Sequence, residues 1–287
     1  MGIAYGFKGN YDKEIECYQK AININPDCAD AYCNMGVAYG DKGKYDKEIE
    51  CYQKAININP DDAESYCNMG IAYGFKGNYD KEIECYQKAI NINQDYTDAY
   101  CNMGIAYRKK GNYDKAIECY QEAINISPDY ADAYYNMGNA NVEKENYDKM
   151  IECYQKAINK NLADAYLANA YYFMGYAYGK KGNYDKAIEC YQKAINKNLA
   201  DAYLANAYYF MGYIYVKKGY YDKAIECYQK AINKNLADAY LADAYYSIGY
   251  IYILKDNMDK SIEYCKIAAR LGNKKAQNIL SKVGISW

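Results

Sequence analysis

A twelve-residue phrase, Tyr11-Asp12-Lys13-Glu14-Ile15-Glu16-Cys17-Tyr18-Gln19-Lys20-Ala21-Ile22, recurs with small changes from Tyr45, Tyr79, Tyr113, Tyr147, Tyr184 and Tyr221, and more loosely from Met258. Four steps of 34 residues are followed by three of 37. Self-similarity at such a period marks a helical-repeat solenoid, because one unit cannot bury its apolar face alone and stacking supplies the core. The chain is therefore expected to be one elongated domain, 1–287, whose geometry changes where the period does.

Within a repeat the helices can be placed. From Ala29 onward, Tyr32, Met35, Gly36 and Tyr39 fall at i, i+3, i+4 and i+7, which is one helix face. A second face follows in Ile49, Tyr52, Ala55 and Ile56, and Gly43 between the two suits a left-handed helix stop. Gly36 and Ala55 lack bulk where two axes must approach, and Pro60 stands just past the second helix, which it cannot continue. Each unit is predicted to be a helical hairpin.

Tyr32, Met35-Gly36, Tyr39, Tyr52, Ala55 and Pro60, repeated as Tyr66, Met69-Gly70, Tyr73, Tyr86 and Ala89 with Gln94 in place of proline, resemble the tetratricopeptide repeat. The resemblance covers nearly the whole chain. It implies an all-α fold, an α-α superhelix of about eight antiparallel helix pairs plus a C-terminal capping helix. The expected organisation is a partial first repeat over 1–28, 34-residue repeats over 29–162, 37-residue repeats over 163–272 and a cap over 273–287. In that cap Ala276, Ile279, Leu280 and Val283 would form one apolar stripe. With Ile267-Ala268-Ala269-Arg270-Leu271-Gly272 before it, the ending also resembles Sel1-like repeats. At the other end Met1-Gly2-Ile3-Ala4-Tyr5 matches Met69-Gly70-Ile71-Ala72-Tyr73, so the chain is expected to open in mid-repeat. A face around Ile3, Tyr5, Ile15 and Tyr18 would then favour self-association or fraying.

Two departures from the family pattern carry physical consequences. Early in the second helix, where the family places a small residue, stand Glu14, Glu48 and Glu82, then Ala116, Met150, Ala187, Ala224 and Ser261. Either the glutamate stem packs while its head reaches water, or the carboxylate makes a pH-sensitive contact. After Ile158 each repeat gains three residues ahead of the Met-Gly pair, as in Ala163-Asp164-Ala165-Tyr166-Leu167-Ala168-Asn169-Ala170-Tyr171. The first helix should lengthen by roughly 4.5 Å, close to one turn, and alter the pitch.

Chemistry is constrained by what is present. There is no histidine, which excludes His-based triads and zinc sites, and no phosphate-cradling glycine loop. The acids of the repeated phrase are copied from unit to unit, as solvated faces paired with lysines would be. With 35 basic and 37 acidic residues interspersed, no face is marked for nucleic acid. No run of 18 apolar residues marks a membrane span, and no leader is legible. The 12 cysteines follow the repeat, so equivalent thiols should lie roughly 10 Å apart, beyond disulfide reach. Reduced thiols and a cytoplasmic location are expected, with no cofactor and no metal.

Function then rests on a groove. In tetratricopeptide proteins the first helices line the concave face, and the residue before the Leu-Gly-type pair points into it. Carried over, that face holds Asn34, Asn68, Asn102 and Asn136, with Val37, Ile71, Ile105 and Asn139 just after the glycine. A column of side-chain amides, each with donors and an acceptor, could grip the backbone of an extended peptide, or could simply bond to its neighbours. The lysines or arginines that the family's carboxylate clamp needs are replaced by Cys33, Cys67 and Cys101. In the 37-residue zone the same positions become Tyr172-Phe173 and Tyr209-Phe210, with Tyr176 and Tyr213 beyond them and Tyr246-Ser247 and Tyr250 in the last repeat. These rings could anchor a partner or pack against the lengthened helices. The resemblance thus implies a non-enzymatic scaffold for a protein or peptide ligand. The alternatives are a self-assembling element and the interaction arm of a larger protein.

Overall fold

A computed structural model describes residues 9–287, and Ile3 and Tyr5 lie outside the described residues. The chain groups into two compact units, Met1–Glu145 and Asn146–Trp287. Sixteen helices and no strand occur among the described residues. The first unit holds α1 (Tyr11–Ile24), α2 (Ala29–Asp41), α3 (Tyr45–Ile58), α4 (Ala63–Phe75), α5 (Tyr79–Ile92), α6 (Thr97–Lys109), α7 (Tyr113–Ile126) and α8 (Ala131–Glu143). The second holds α9 (Tyr147–Asn159), α10 (Asp164–Lys180), α11 (Tyr184–Asn196), α12 (Asp201–Lys217), α13 (Tyr221–Asn233), α14 (Asp238–Leu254), α15 (Met258–Arg270) and α16 (Lys274–Lys282). Helices α2/α3, α4/α5 and α6/α7 pair as hairpins in the first unit, and α10/α11, α12/α13 and α14/α15 in the second.

Each hairpin is closed by a turn and held by one ring. In the first, Gly43 takes φ +68°, and the amide of Lys44 donates to Tyr39 C=O at 2.9 Å, ending α2. Across the hairpin Tyr52, Tyr86 and Tyr120 are fully buried against Gly36, Gly70 and Gly104. A Cβ built on Gly104 would lie 2.5 Å from the Tyr120 ring, so the small residue read from the sequence is required by the ring it faces.

The lengthened repeats differ as the insertion predicts. Helices α10, α12 and α14 have 17 residues against 13 in α2, α4, α6 and α8. Their extra turn lies at the N-terminal end, ahead of the Met-Gly pair. The turn before it no longer uses proline. Asn161, Asn198 and Asn235 adopt φ of 62°, 57° and 56°, and Leu162 donates its amide back to Ala157 C=O at 3.0 Å while burying its side chain. Asparagine tolerates this left-handed geometry better than any β-branched residue. Asn198→Val is therefore expected to destabilise the second unit by about 1–2 kcal/mol in urea unfolding, and Asn198→Gly to leave it nearly unchanged.

Among the described residues seven lysine–aspartate pairs join successive repeats along the turn edge: Lys42–Asp12, Lys76–Asp46, Lys110–Asp80 and Lys144–Asp114 in the first unit, and Lys181–Asp148, Lys218–Asp185 and Lys255–Asp222 in the second. At the end of the chain α16 buries Ala276 and Leu280 against Cys265, Ala268 and Ala269. Val283 does not extend that stripe: it is the C-cap that follows α16, and its side chain is exposed. Asn273 caps the helix by accepting from the Ala276 amide at 2.9 Å, and its own amide donates to Asp243 Oδ1 at 2.7 Å.

Candidate functional site: the faces of the first helices

In the first unit the residues just after the buried Met-Gly pairs emerge into solvent. Val37 is 43% exposed and Ile71 37%, while Ile105 is half-buried. Val37 and Ile71 are thus apolar side chains left largely uncovered, while Ile105 is partly covered and the fourth position is the half-buried Asn139. Beside them Asn34, Asn68, Asn102 and Asn136 are half-buried. Three of the four amides are engaged within the unit. Asn34 Nδ2 donates to the Asp30 carbonyl of its own helix at 2.7 Å, and Asn136 Nδ2 reaches Cys101 Sγ at 3.8 Å. Hydrogen bonds from Asn102 and Tyr96 partly offset the burial that raises the Cys67 thiol. Two of the four thus bond to a buried cysteine of the preceding repeat, the bonding between neighbours that a duplicated amide permits.

In the second unit Tyr172 is buried and Phe173, Tyr209 and Phe210 are half-buried. Their rings are consumed by packing on the lengthened helices. Tyr203, on the extra turn of α12, lies 5.0 Å from Tyr172 and 5.8 Å from Phe173. Tyr240, on the extra turn of α14, repeats this with Tyr209 at 5.0 Å and Phe210 at 5.9 Å. Such tilted and edge-on pairs suit the ring quadrupole. Tyr213 and Tyr250, by contrast, are 46% and 42% exposed.

Four of the residues expected from sequence, Tyr176, Tyr209, Phe210 and Tyr213, meet at a cleft of about 440 Å3 between the α10 and α12 layers. Sequence reasoning missed Lys180, Tyr184, Tyr191 and Tyr240, which also line it. Tyr240 could have been found, since Tyr166, Tyr203 and Tyr240 recur at the 37-residue step. The same holds for Lys180 and Lys217, each four residues past a groove tyrosine, with Nζ 5.2 Å over the Tyr176 ring and 5.4 Å over the Tyr213 ring.

The titratable groups argue against reactive chemistry at these faces. All twelve cysteines are free, and nine are buried. Burial pushes the Cys85, Cys101 and Cys119 thiols up to about 12, far from the thiolate that nucleophilic work needs. Among the described residues no group of three or more Cys, Asp or Glu side chains is arranged to hold a metal ion, and no helix is long and apolar enough to cross a membrane. The glutamate heads do not reach water as one sequence reading has it. Glu48 is 7% exposed and Glu82 3%, because Gly40 and Gly74 leave each carboxyl a notch in the partner helix.

Comparison with known proteins agrees with this geometry. One sequence model described as TPR repeat matches residues 4–43, 41–74, 76–110 and 104–144, and of two described as tetratricopeptide repeat one matches 129–200 and 166–236 and the other 209–276. The chain belongs to the tetratricopeptide repeat family. None of the three models is a Sel1-like one. No curated protein matches the chain. Among solved structures, MamA is 31% identical over 56% of this chain and 94% of its own, with a TM-score of 0.52. YrrB, titled a TPR protein with an unusual peptide-binding site, is 22% identical over 64% of this chain and 93% of its own, with a TM-score of 0.53. The Cut9-Hcn1 tetramer of APC/C aligns with 98% of this chain and 54% of its own at 17% identity and a TM-score of 0.53. The last two show likeness of fold alone.

Proposed function

We propose that the chain is a non-catalytic scaffold that binds an extended peptide or a partner helix along the faces of its first helices. One observation carries this: the residue after the Met-Gly pair is apolar or aromatic and emerges into solvent in three repeats, as Val37 and Ile71 in one unit and Tyr213 in the other, while Ile105 and Tyr176 are half-buried there and the α8 repeat has Asn139. A side chain needed only for packing would be covered. In the second unit the neighbouring cleft offers a partner side chain a place among tyrosines. YrrB, which is similar in fold alone, is itself a TPR protein with an unusual peptide-binding site.

The amides contribute less than their number suggests, since Asn102 and Asn136 already serve their neighbours. Peptides selected from a random library on the immobilised chain would identify a ligand. Val37→Ser combined with Tyr213→Ser is expected to weaken the selected peptides about tenfold or more, with far-ultraviolet circular dichroism unchanged. Asn68→Ala combined with Asn102→Ala should weaken them by about 1–3 kcal/mol if the amides touch the peptide backbone. Peptides that bind both double variants as tightly as the parent chain would place the ligand elsewhere.

A further inference from the structure

The first unit carries a feature that the second lacks. Glutamate occurs early in the second helix only where the residue eight positions earlier is glycine, as in Gly6/Glu14, Gly40/Glu48 and Gly74/Glu82. In the two fully described cases the match is spatial. A Cβ on Gly40 would lie 2.7 Å from the Glu48 carboxyl, and one on Gly74 2.6 Å from that of Glu82. Each carboxyl has one hydrogen-bond donor, Tyr52 Oη at 3.4 Å for Glu48 and Tyr86 Oη at 3.2 Å for Glu82. The second oxygen, Oε2, is buried without any partner in both. At the corresponding second-helix positions of α11 and α13 stand Ala187 and Ala224.

An ionised carboxylate in such a notch has lost its water and gained one long hydrogen bond, which does not compensate the charge. A neutral carboxyl loses far less. We propose that Glu48 and Glu82 act as a proton-operated latch on the hairpins α2/α3 and α4/α5: each hairpin closes fully on a protonated carboxyl and loosens when the proton leaves, while the second unit is indifferent.

The surrounding charges bear on this unequally. Burial raises Glu48 to about 7, Asp41 at the end of α2 adds to the rise, and the Tyr52 hydroxyl opposes it. Burial also raises Glu82, against Lys109 of α6 and Tyr86. The sign follows from linkage. An unfolded chain releases the Glu48 proton near 4.5, whereas the folded hairpin keeps it to about 7. Between these values the folded state binds more protons, so stability falls as pH rises through the interval and levels off above it.

The test is hydrogen exchange by mass spectrometry on the full chain between about pH 5.5 and about pH 8.5, corrected for intrinsic rates. Protection of α2–α5 should fall about tenfold or more across this range relative to α10–α15. In the Glu48→Gln, Glu82→Gln double variant that fall should vanish. Constant protection in the parent chain, an equal fall in both units, or an unchanged fall in the variant would each overturn the latch. Should the variant not fold, carbon-13 carboxyl titration of the parent chain decides. A glutamate midpoint near 7 is expected, and midpoints all within the ordinary range, about 4–5, would refute it.

Discussion

Tyr191→Ala is expected to cost the second unit about 3–5 kcal/mol, the loss seen when a large ring is removed from a close-packed interior. Tyr191 is fully buried, packs against the Gly175 backbone, and stands 5.8 Å from Tyr172 and 6.4 Å from Phe210. Gly175 has no side chain of its own with which to fill the space the ring would leave. Because repeats hold only their neighbours, α10–α13 should lose protection before α15 and α16. Urea unfolding combined with segment-resolved exchange would show this. A loss below about 1 kcal/mol would mean that the lengthened helices, and not the central ring, hold these hairpins.

The C-terminal helix should be nearly as sensitive. Leu280 is buried among Cys265, Ala268, Ala269 and Ala276, and α16 has only nine residues, too few for a helix to persist alone. Leu280→Ala is expected to cost about 2–4 kcal/mol locally and release α16, exposing the alanine face of α15. Asn273→Ala, which removes both the cap and the bond to Asp243, should cost about 1–2 kcal/mol. Limited proteolysis of the last twenty or so residues, followed against time, is the direct readout. Cleavage no faster than in the parent chain would show that α16 is ornamental to α15.

The hairpins, their glycine contacts and the lengthened first helix were all legible in the sequence, because periodic phrases expose which residues must be small and which must be apolar. What the site residues do was less legible. Tyr172 and Phe173 occupy groove positions by alignment, yet Tyr203 covers them from the next repeat, and a contact between residues about one period apart leaves no local signature. The burial of Glu48 was legible only as a conflict between residue and position. Resolving it required seeing that Gly40, on the other helix, vacates the volume the carboxyl takes.

The lysine–aspartate pairs have one more consequence. Their sequence separation shifts from 30 to 33 residues when the repeat lengthens, yet the same two positions always meet. All of the added residues are absorbed on the opposite side, in the first turn of the first helix. The turn edge therefore behaves as a constant connector and the inner face as a variable insert. Repeats of 34 and of 37 residues thus present the same joint, so a gene that duplicates or trades repeats can change the length of a first helix without altering the lysine–aspartate pair that links it to its neighbour.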